Sequence, residues 1–524
     1  MSLNIDRDIT RATSSRRTLV GGALATGFIT MANGLARPLA AAQTEPRRGG
    51  TLRVAQENDI SSFDPHYSVL GPDRDVLYQI YDTITQFDAE LTPQPCLAES
   101  WETPDPLTYV FHLRRDVTFH DGTPWNAEAL AFNIDRVRHA GDASPLAADF
   151  VQIEAVEVVD EYTARINLAE PMAALLAMLA DRWGMMVSPT AAAELGDSFT
   201  TSPVGSGPFR FVAHVPGERI EVARNEQYWN ASYPYLDGIV WSTVPDADAR
   251  YTMLRDGQLD VTPWVAAKDI DEVKASPELG YAEMLSLGFE DVRFNCSKPP
   301  FDNLALRQAC SLGIDRQAIV DEIFLGHAQV ARGPLPPTTW AANLDLPFPA
   351  RDVELARQKL AEAGYPDGVE VEWDCPAAGD EERRGRAMQE QLAEIGIDVK
   401  LLLMSNEEAK QREIDGTFQA ELLYWSGRAD PDMTMYSMFH TGGGYNTMRY
   451  SNDRVDELTR AARLTNDQPE RKALYDEAQA IVVEEAPRLF VVHKVDVVAF
   501  QGNVHDVDYF PDTRTRYLRT WIEG

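Results

Sequence analysis

Short strand patterns and amphipathic helical patterns follow one another along most of the chain. Apolar and polar positions alternate over residues 151–168 on both sides of a turn at 160–161, which predicts a β-hairpin. Apolar residues at helical spacing predict helices over 453–464 and 468–485. A run rich in β-branched residues then predicts a strand over 487–500. This alternation is typical of an α/β fold.

The same pattern is clear in the middle of the second half of the chain. Helices are predicted over 353–363 and 381–395, and a glycine follows each of them directly, as is common where helices end. Strands are predicted shortly after these glycines, over 369–373 and 397–402. In the first half, apolar positions predict a long helix over 72–87.

Residues 97–130 combine several local signals. The stretches 108–113 and 117–120 are rich in β-branched and aromatic residues and predict two strands joined by a charged turn. Asp121-Gly122-Thr-Pro predicts a turn, and Asn126 is a favourable N-cap for a helix over about 127–138.

The first 42 residues have the three-part pattern of an export signal. Residues 15–19 (SRRTL) are similar to a twin-arginine motif, a modestly apolar core covers 20–35, and the alanines at 40–42 predict a cleavage site. The core is too short and too weakly apolar for a membrane anchor. Because the first cysteine is Cys96, we expect no lipid anchor near the cleavage site. The alternative is an N-terminal arm with no export role.

Charge and cysteine content narrow the possible partners. The 524 residues include 48 Lys and Arg against 82 Asp and Glu, a net charge of −34. Without residues 1–42 the balance is 43 against 80, about −37, and such a surface repels nucleic acid and anionic lipid. The four cysteines show no zinc-site spacing, so we expect mostly buried thiols, with a disulfide as the alternative. They are Cys96, Cys296, Cys310 and Cys375.

The sequence contains no motif of a known catalytic or cofactor site. It lacks GxSxG, HExxH, Walker and dinucleotide-binding patterns, and its nine histidines show no paired spacing. We therefore expect no enzymatic activity, no metal and no other cofactor. The rival from the enzyme class is an exported glycoside hydrolase that uses two carboxylates, because acidic residues are abundant.

Several strings together resemble the dipeptide/oligopeptide/nickel class of extracellular solute-binding proteins, the receptors of ABC importers. The resemblance covers nearly the whole chain after residue 42, and the strings that carry it are Leu97-Ala-Glu-Ser-Trp101, Phe111-His-Leu113, Phe119-His-Asp-Gly-Thr-Pro124, Pro203-Val-Gly-Ser-Gly-Pro-Phe209 and residues 299–310.

The resemblance implies an α/β, two-lobed periplasmic-binding-protein fold with a hinge of crossing strands. The first lobe would cover 43–290, with a subdomain inserted at about 90–200, the second lobe 291–490, and the return to the first lobe 491–524. Such a protein would be a monomer in the periplasm of a Gram-negative bacterium, exported by the twin-arginine translocase. It would capture a peptide, a peptide-like compound or an organic acid between its lobes and deliver it to ABC transporter permease subunits. A ligand sensor for a membrane receptor is an alternative.

The resemblance also indicates where the ligand would bind. In peptide-binding members, a tryptophan ends the strand before the loop that binds the ligand. The residue three positions after that tryptophan is an aspartate, which holds the α-amino group of the peptide. In this chain Trp425 is followed at that position by Arg428, in a loop one residue shorter. Arginine suits a carboxylate or a phosphate, although Arg428 could instead pair with Asp430 or Asp432, or bridge the two lobes when they close. Asp430 is also an alternative acceptor for an amine.

Five more residues are candidates by position. Tyr424 could stack on the ligand or simply pack, as could Trp425. Tyr445 and Asn446 lie in a glycine-rich loop that lines the cleft in the family, or that merely forms a tight turn. His66 and Tyr67 lie on a first-lobe loop that faces the cleft in the family, and the alternative for His66 is a solvated loop position.

Overall fold

The computed structural model describes residues 45–68, 70–376 and 379–524, so the predicted export signal lies outside the described residues. Strands and helices alternate along this part of the chain, which confirms the α/β class. The strands are β1 (Thr51–Gln56), β2 (Thr85–Phe87), β3 (Pro93–Pro95), β4 (Ala98–Asp105), β5 (Thr108–Leu113), β6 (Ile153–Asp160), β7 (Thr163–Leu168), β8 (Phe209–Val215), β9 (Arg219–Arg224), β10 (Gly238–Thr243), β11 (Val261–Thr262), β12 (Leu279–Leu285), β13 (Phe289–Phe294), β14 (Ala328–Val330), β15 (Val369–Pro376), β16 (Ile397–Met404), β17 (Ala420–Trp425), β18 (Arg488–Gln501), β19 (Val504–His505), β20 (Asp508–Tyr509), β21 (Thr515–Arg516) and β22 (Trp521–Ile522). The helices are α1 (Asp73–Ile80), α2 (Ala127–Arg138), α3 (Leu175–Met178), α4 (Pro189–Leu195), α5 (Ala247–Arg255), α6 (Ala267–Ala275), α7 (Leu304–Gly313), α8 (Arg316–Glu322), α9 (Val353–Glu362), α10 (Gly379–Ala393), α11 (Asn406–Asp415), α12 (Asp432–Phe439), α13 (Asp453–Arg463) and α14 (Gln468–Glu485).

The 14-residue strand β18 connects the two halves of the largest sheet. The strand order is β16-β15-β17-β13-β18-β11-β1-β10-β9-β8, and β12 and β14 also pair with β18. The beginning of β18 pairs with β13 and β14, whereas its end pairs with β11 and β12. We call the part built on β1 and β8–β12 the first lobe, and the part built on β13–β17 the second lobe.

Each lobe has its own apolar core. The first-lobe core packs α1 against the sheet, and its largest buried side chains include Trp241 and Tyr81. The second-lobe core contains Trp373, Met388 and Leu392, which come from β15 and α10. Separate cores joined by a shared strand allow each lobe to keep its internal packing if the lobes move.

A four-stranded antiparallel sheet, β4-β5-β7-β6, forms a subdomain with α2. Its β6–β7 hairpin is the one that the alternation over 151–168 predicts, which confirms that prediction. The Asn126 side chain accepts a hydrogen bond of 2.9 Å from the backbone N–H of Ala129, so the predicted N-cap of α2 is also confirmed.

Two local predictions are wrong. The helix predicted over 72–87 ends at Ile80, because Tyr81 is extended and the following β-branched residues lead into β2. The strand predicted over 117–120 is reduced to an isolated bridge between Thr118 and Pro124. Proline has no backbone N–H, so the ladder does not extend from this pair.

The glycine-rich turn over 203–209 brings the chain against the end of α1. A Cβ atom on Gly205 would lie 2.2 Å from the carbonyl oxygen of Ile80, and one on Gly207 would lie 2.5 Å from the carbonyl carbon of the same residue. These contacts explain why the approach requires glycine at both positions.

The cysteines and the helices agree with other sequence expectations. All four cysteines are free, and Cys96, Cys310 and Cys375 are buried, which confirms the expectation of mostly buried thiols. No helix in the described part of the chain combines the length and the apolar character needed to cross a bilayer.

Candidate functional site

A cleft of about 590 Å³ lies between the two lobes, beside the middle of β18. The first lobe and the connection from the subdomain line one side, and the loop after β17 lines the other. The side chains that matter for its chemistry are Arg182, Trp264, Trp425, Arg428, Tyr445 and Lys494.

Arg428 lies on an aromatic wall of this cleft. Its guanidinium carbon is 4.5 Å from the centroid of the Trp425 ring and 5.9 Å from that of Tyr445. Its Nη1 donates to Ser426 Oγ at 3.0 Å and to the Gly427 carbonyl at 2.6 Å. The two aromatic rings meet edge to face at 5.0 Å, so Trp425, which is buried, both packs and faces the cleft.

The acidic residues after Arg428 are paired with other arginines. Asp430 accepts two hydrogen bonds from Arg471, of 2.6 and 3.0 Å, and Asp432 forms an ion pair of 2.7 Å with Arg463. The alternative in which Arg428 pairs with Asp430 or Asp432 is therefore wrong. Among the described residues, no carboxylate lies within ion-pair distance of Arg428. Asp430 lines a different space, of about 1190 Å³, between the subdomain and the second lobe.

Tyr424 contributes its hydroxyl and ring to the side of the cleft nearest β18. Its hydroxyl lies 2.9 Å from Ser286 Oγ, and Lys494 Nζ lies 4.2 Å from the ring centroid. Lys494 also forms an ion pair of 3.0 Å with Glu290. Burial raises the pKa of Tyr424 to about 12, so this side chain stays a neutral hydrogen-bonding group.

The Asn446 side chain forms its hydrogen bonds within its own loop. Its amide nitrogen donates to the carbonyls of His440 and Tyr450, at 2.9 and 2.7 Å, and its side-chain oxygen accepts from the Tyr450 N–H at 3.0 Å. All of its amide groups are thus used within the loop, as the tight-turn interpretation predicts. The neighbouring Tyr445 is 39% exposed and is the residue of this loop that lines the cleft.

His66 and Tyr67 lie outside the set of residues that line the cleft. The solvated position considered for His66 is wrong, because the residue is only 1% exposed. Arg136 Nη1 donates to His66 Nδ1 at 2.8 Å, so His66 Nε2 carries the proton and donates to the Met185 carbonyl at 3.1 Å. The same guanidinium lies 5.0 Å from the centroid of the Tyr67 ring. The tertiary position of α2, which carries Arg136, decides this arrangement.

The cleft also contains residues that were not predicted from the sequence as ligand-binding residues. Arg182 and Arg250 are 5% and 4% exposed, and Trp264 has a left-handed backbone with φ of 52°. The position of Arg182 inside the apolar run 175–187 indicates a functional residue, because arginine is rarely fully buried unless its charge is paired. Trp264 had no such signal, because backbone conformation at a single tryptophan is set by tertiary contacts. In the described part of the chain, no group of three or more His, Cys, Asp or Glu residues is arranged to hold a metal ion.

Comparison with known sequences gives matches over most of the chain. The family model "Bacterial extracellular solute-binding proteins, family 5 Middle" matches residues 92–447. The chain is 33% identical over 453 residues to heme-binding protein A of Haemophilus influenzae, with 80% of this chain and 82% of that protein covered. It is 30% identical over 475 residues to the glutathione-binding protein GsiB of Pectobacterium atrosepticum, with 88% and 92% covered.

Comparison with solved structures gives the same result for the fold. The periplasmic binding protein DppA of Helicobacter pylori, in complex with the peptide STSA, matches with a TM-score of 0.84 and 28% identity over 91% of this chain and 99% of that chain. AgaA of A. tumefaciens R10, in complex with agropinic acid, matches with a TM-score of 0.82 and 25% identity over the same shares. These matches confirm the predicted two-lobed α/β fold.

His66 makes the folded protein sensitive to acid. Burial, with a contribution from Arg136, lowers its pKa from the ordinary 6.5 to about 4. Between these values the unfolded chain binds a proton that the folded protein does not, so the free energy of unfolding should fall by about 1.4 kcal/mol for each pH unit below 6.5, and by about 3 kcal/mol in total. Urea unfolding at several pH values should show a shallower acid dependence for His66→Gln than for the unsubstituted protein. The exposed His139 provides the control, and an equal change in slope for His139→Gln would contradict this assignment.

Proposed function

The chain belongs to family 5 of the bacterial extracellular solute-binding proteins, the receptors of ABC importers, and we propose that its solute is a small peptide-like compound or organic acid that carries a carboxylate. The family captures small solutes between two lobes and passes them to permease subunits. Two relatives are named for heme and glutathione, and two structural neighbours hold a peptide and an organic acid. The range of these ligands leaves the choice of solute to the side chains of the cleft.

The position of Arg428 carries this proposal. Its guanidinium is held on Trp425 in the interlobe cleft and forms no ion pair within the described residues. A cation at this place repels an α-ammonium group and attracts a carboxylate, which two parallel N–H groups can bind together. Asp430, the alternative acceptor for an amine, already has both oxygens bound by Arg471. Trp425 and Tyr445 provide a flat surface for the apolar part of the solute.

We propose transport rather than catalysis for this cleft. Of the acidic residues that line it, which are Glu57, Glu290, Glu381 and Asp496, Glu290 is paired with Arg384 and Lys494. These cations lower the pKa of Glu290, against the effect of its burial, so this carboxyl group would not act as the proton donor of a glycoside hydrolase. A sensor would bind its ligand in the same way and would differ only in the membrane protein that it contacts.

We also propose that the protein is exported by the twin-arginine translocase, is cleaved near Ala42, and works as a monomer free in the periplasm of a Gram-negative bacterium. The motif at residues 15–19 and the absence of a cysteine near residue 42 support this part of the proposal.

A bound solute should stabilise the mature protein by mass action, by RT ln(1 + [L]/Kd). A thermal-shift screen of di- to tetrapeptides, opines, glycosides and aromatic carboxylates should therefore show raised melting temperatures for compounds with a free carboxylate. If no physiological solute shifts the melting temperature and uptake survives deletion of the gene, the proposed function is wrong.

Arg428→Ala should weaken binding of such a solute by roughly 1.5–3 kcal/mol, the range for hydrogen bonds to charged groups. Arg428→Lys should recover only part of this loss, because lysine keeps the charge but lacks the two-pronged donor. Isothermal titration calorimetry of the three proteins measures the effect. Asp430→Ala is the comparison: if it abolishes binding in a protein that remains folded, while Arg428→Ala leaves affinity unchanged, Asp430 is the anchor and the ligand presents an amine.

Arg16→Lys combined with Arg17→Lys should prevent twin-arginine export, because the translocase recognises the arginine pair. Cell fractionation should then find the uncleaved protein in the cytoplasm. Periplasmic accumulation equal to that of the unsubstituted chain would indicate another export route.

A further inference from the structure

Arg182 lies on the first-lobe side of the cleft with only part of its guanidinium satisfied. The side chain is 5% exposed. Its Nη1 donates to the Ser68 carbonyl at 2.8 Å and to Ser68 Oγ at 3.2 Å, and Ser68 Oγ in turn donates to Asp73 at 2.7 Å. These contacts fix one side of the guanidinium. Within the described residues, its Nε has no hydrogen-bond acceptor.

A second buried arginine shows that this protein can satisfy such a group completely. Arg316 is also buried and forms no ion pair within the described ranges. Its Nε donates to the Phe490 carbonyl at 2.6 Å, its Nη1 to the Ser311 carbonyl at 2.9 Å, and its Nη2 to Ser311 Oγ at 2.8 Å. Arg316 therefore needs no ligand, whereas Arg182, which lines a cavity, retains an Nε–H group without an acceptor.

Arg428 faces the same cavity from the second lobe, and the two cations act on each other. Burial lowers the pKa of Arg182 to about 10, the positive charges of Arg74 and Arg428 act in the same direction, and the negative charge of Asp181 acts against them. The nearby acid Asp181 is engaged by Arg74, and Asp149 accepts from Trp183 Nε1 at 3.0 Å. Each of the two cleft arginines thus lies near a like charge, and Asp181, which is paired with Arg74, offsets only part of it.

The second lobe touches the segment between β7 of the subdomain and α3. The Ala173 N–H donates to the Arg463 carbonyl at 3.1 Å, and Arg460 forms an ion pair of 2.7 Å with Glu170. In this arrangement of the second lobe and the subdomain, Arg182 and Arg428 line one cavity. Without an anion between them, their repulsion opposes closure.

We propose that one carboxylate of the solute binds between Arg182 and Arg428 and holds the two lobes closed. This inference rests on the proposed function and adds Arg182 as a second anchor. The carboxylate has two oxygens, so it can accept hydrogen bonds from both guanidinium groups at once. Without the solute, the two guanidinium groups repel each other. With the solute bound, each of them is attracted to the carboxylate, so the negative charge of the solute favours closure of the lobes.

Affinity measurements test the shared carboxylate. The probes are di- to tetrapeptides with a free C-terminal carboxylate, the same peptides as C-terminal amides, and agropinic acid. Arg182→Gln should weaken binding of the carboxylate forms about 10- to 100-fold, the equivalent of losing a charged hydrogen bond, and should change binding of the amides less than about threefold. Equal loss for both forms, or no loss for either, would overturn the shared-carboxylate site.

Small-angle X-ray scattering of the ligand-free mature protein tests the repulsion separately. Arg182→Gln removes one of the two charges, so the ligand-free protein should become more compact although it binds the carboxylate less well. Arg182→Lys keeps the charge and should leave the ligand-free protein as open as the unsubstituted one, while it still weakens carboxylate binding. A merely structural role for Arg182 would not give opposite effects on compactness and affinity.

Arg210→Gln is the matched control, because Arg210 is an exposed first-lobe residue on β8 outside the cleft. This variant should change neither affinity nor compactness. If the unsubstituted protein binds none of the probes, the proposed ligand class is wrong, and unchanged scattering of Arg182→Gln then overturns the repulsion as well. If the unsubstituted protein binds carboxylates and Arg182→Gln binds them equally well, the proposed function stands and only the second anchor is wrong.

Discussion

Strand β18 is the constraint on which the arrangement of the two lobes depends. One continuous backbone pairs with β13 and β14 at its beginning and with β11 and β12 at its end. Its hydrogen bonds keep both lobes attached, while each lobe has a separate apolar core that need not be rebuilt when the lobes move. The cleft lies beside the middle of this strand, and Lys494 and Asp496 on β18 line it. The geometry of a binding site at this place therefore depends on the relative position of the two lobes.

Buried arginines are satisfied differently in the binding cleft and in the second lobe. In the second lobe, several buried charges are matched in pairs, Arg488 with Asp291 at 2.6 Å, Arg384 with Glu290, and Arg293 with Glu421, and the unpaired Arg316 has neutral acceptors for its Nε, Nη1 and Nη2. Such pairing is expected, because a buried charge without a partner costs several kcal/mol. Arg182 and Arg428 depart from this pattern in the same cavity. Incomplete pairing of an arginine is useful in a cleft that binds an anion, because the ligand then supplies the missing negative charge.

Aromatic side chains complete the cleft. Trp425 and Tyr445 hold Arg428 in place through cation–π contacts, so the guanidinium loses less freedom when an anion binds. Trp264 faces the same space from the first lobe with a left-handed backbone, a conformation that costs about 1–3 kcal/mol for a residue other than glycine. Cationic and aromatic groups together suit a solute with an acidic group and a flat or apolar body.

The sequence by itself determined the α/β class, most strands and helices, the N-cap at Asn126 and the family, because these depend on patterns over a few neighbouring residues. It also placed Trp425, Arg428 and Tyr445 in the cleft, through their similarity to a family loop. It did not determine the roles of Asn446 and His66, the partner of Asp430, or the presence of Arg182. The contacts that decide these roles join distant parts of the chain: 114 residues separate Arg182 from Ser68, and 41 separate Arg471 from Asp430. Hydrophobic periodicity carries no information about which distant charges meet, so only the tertiary structure decides them.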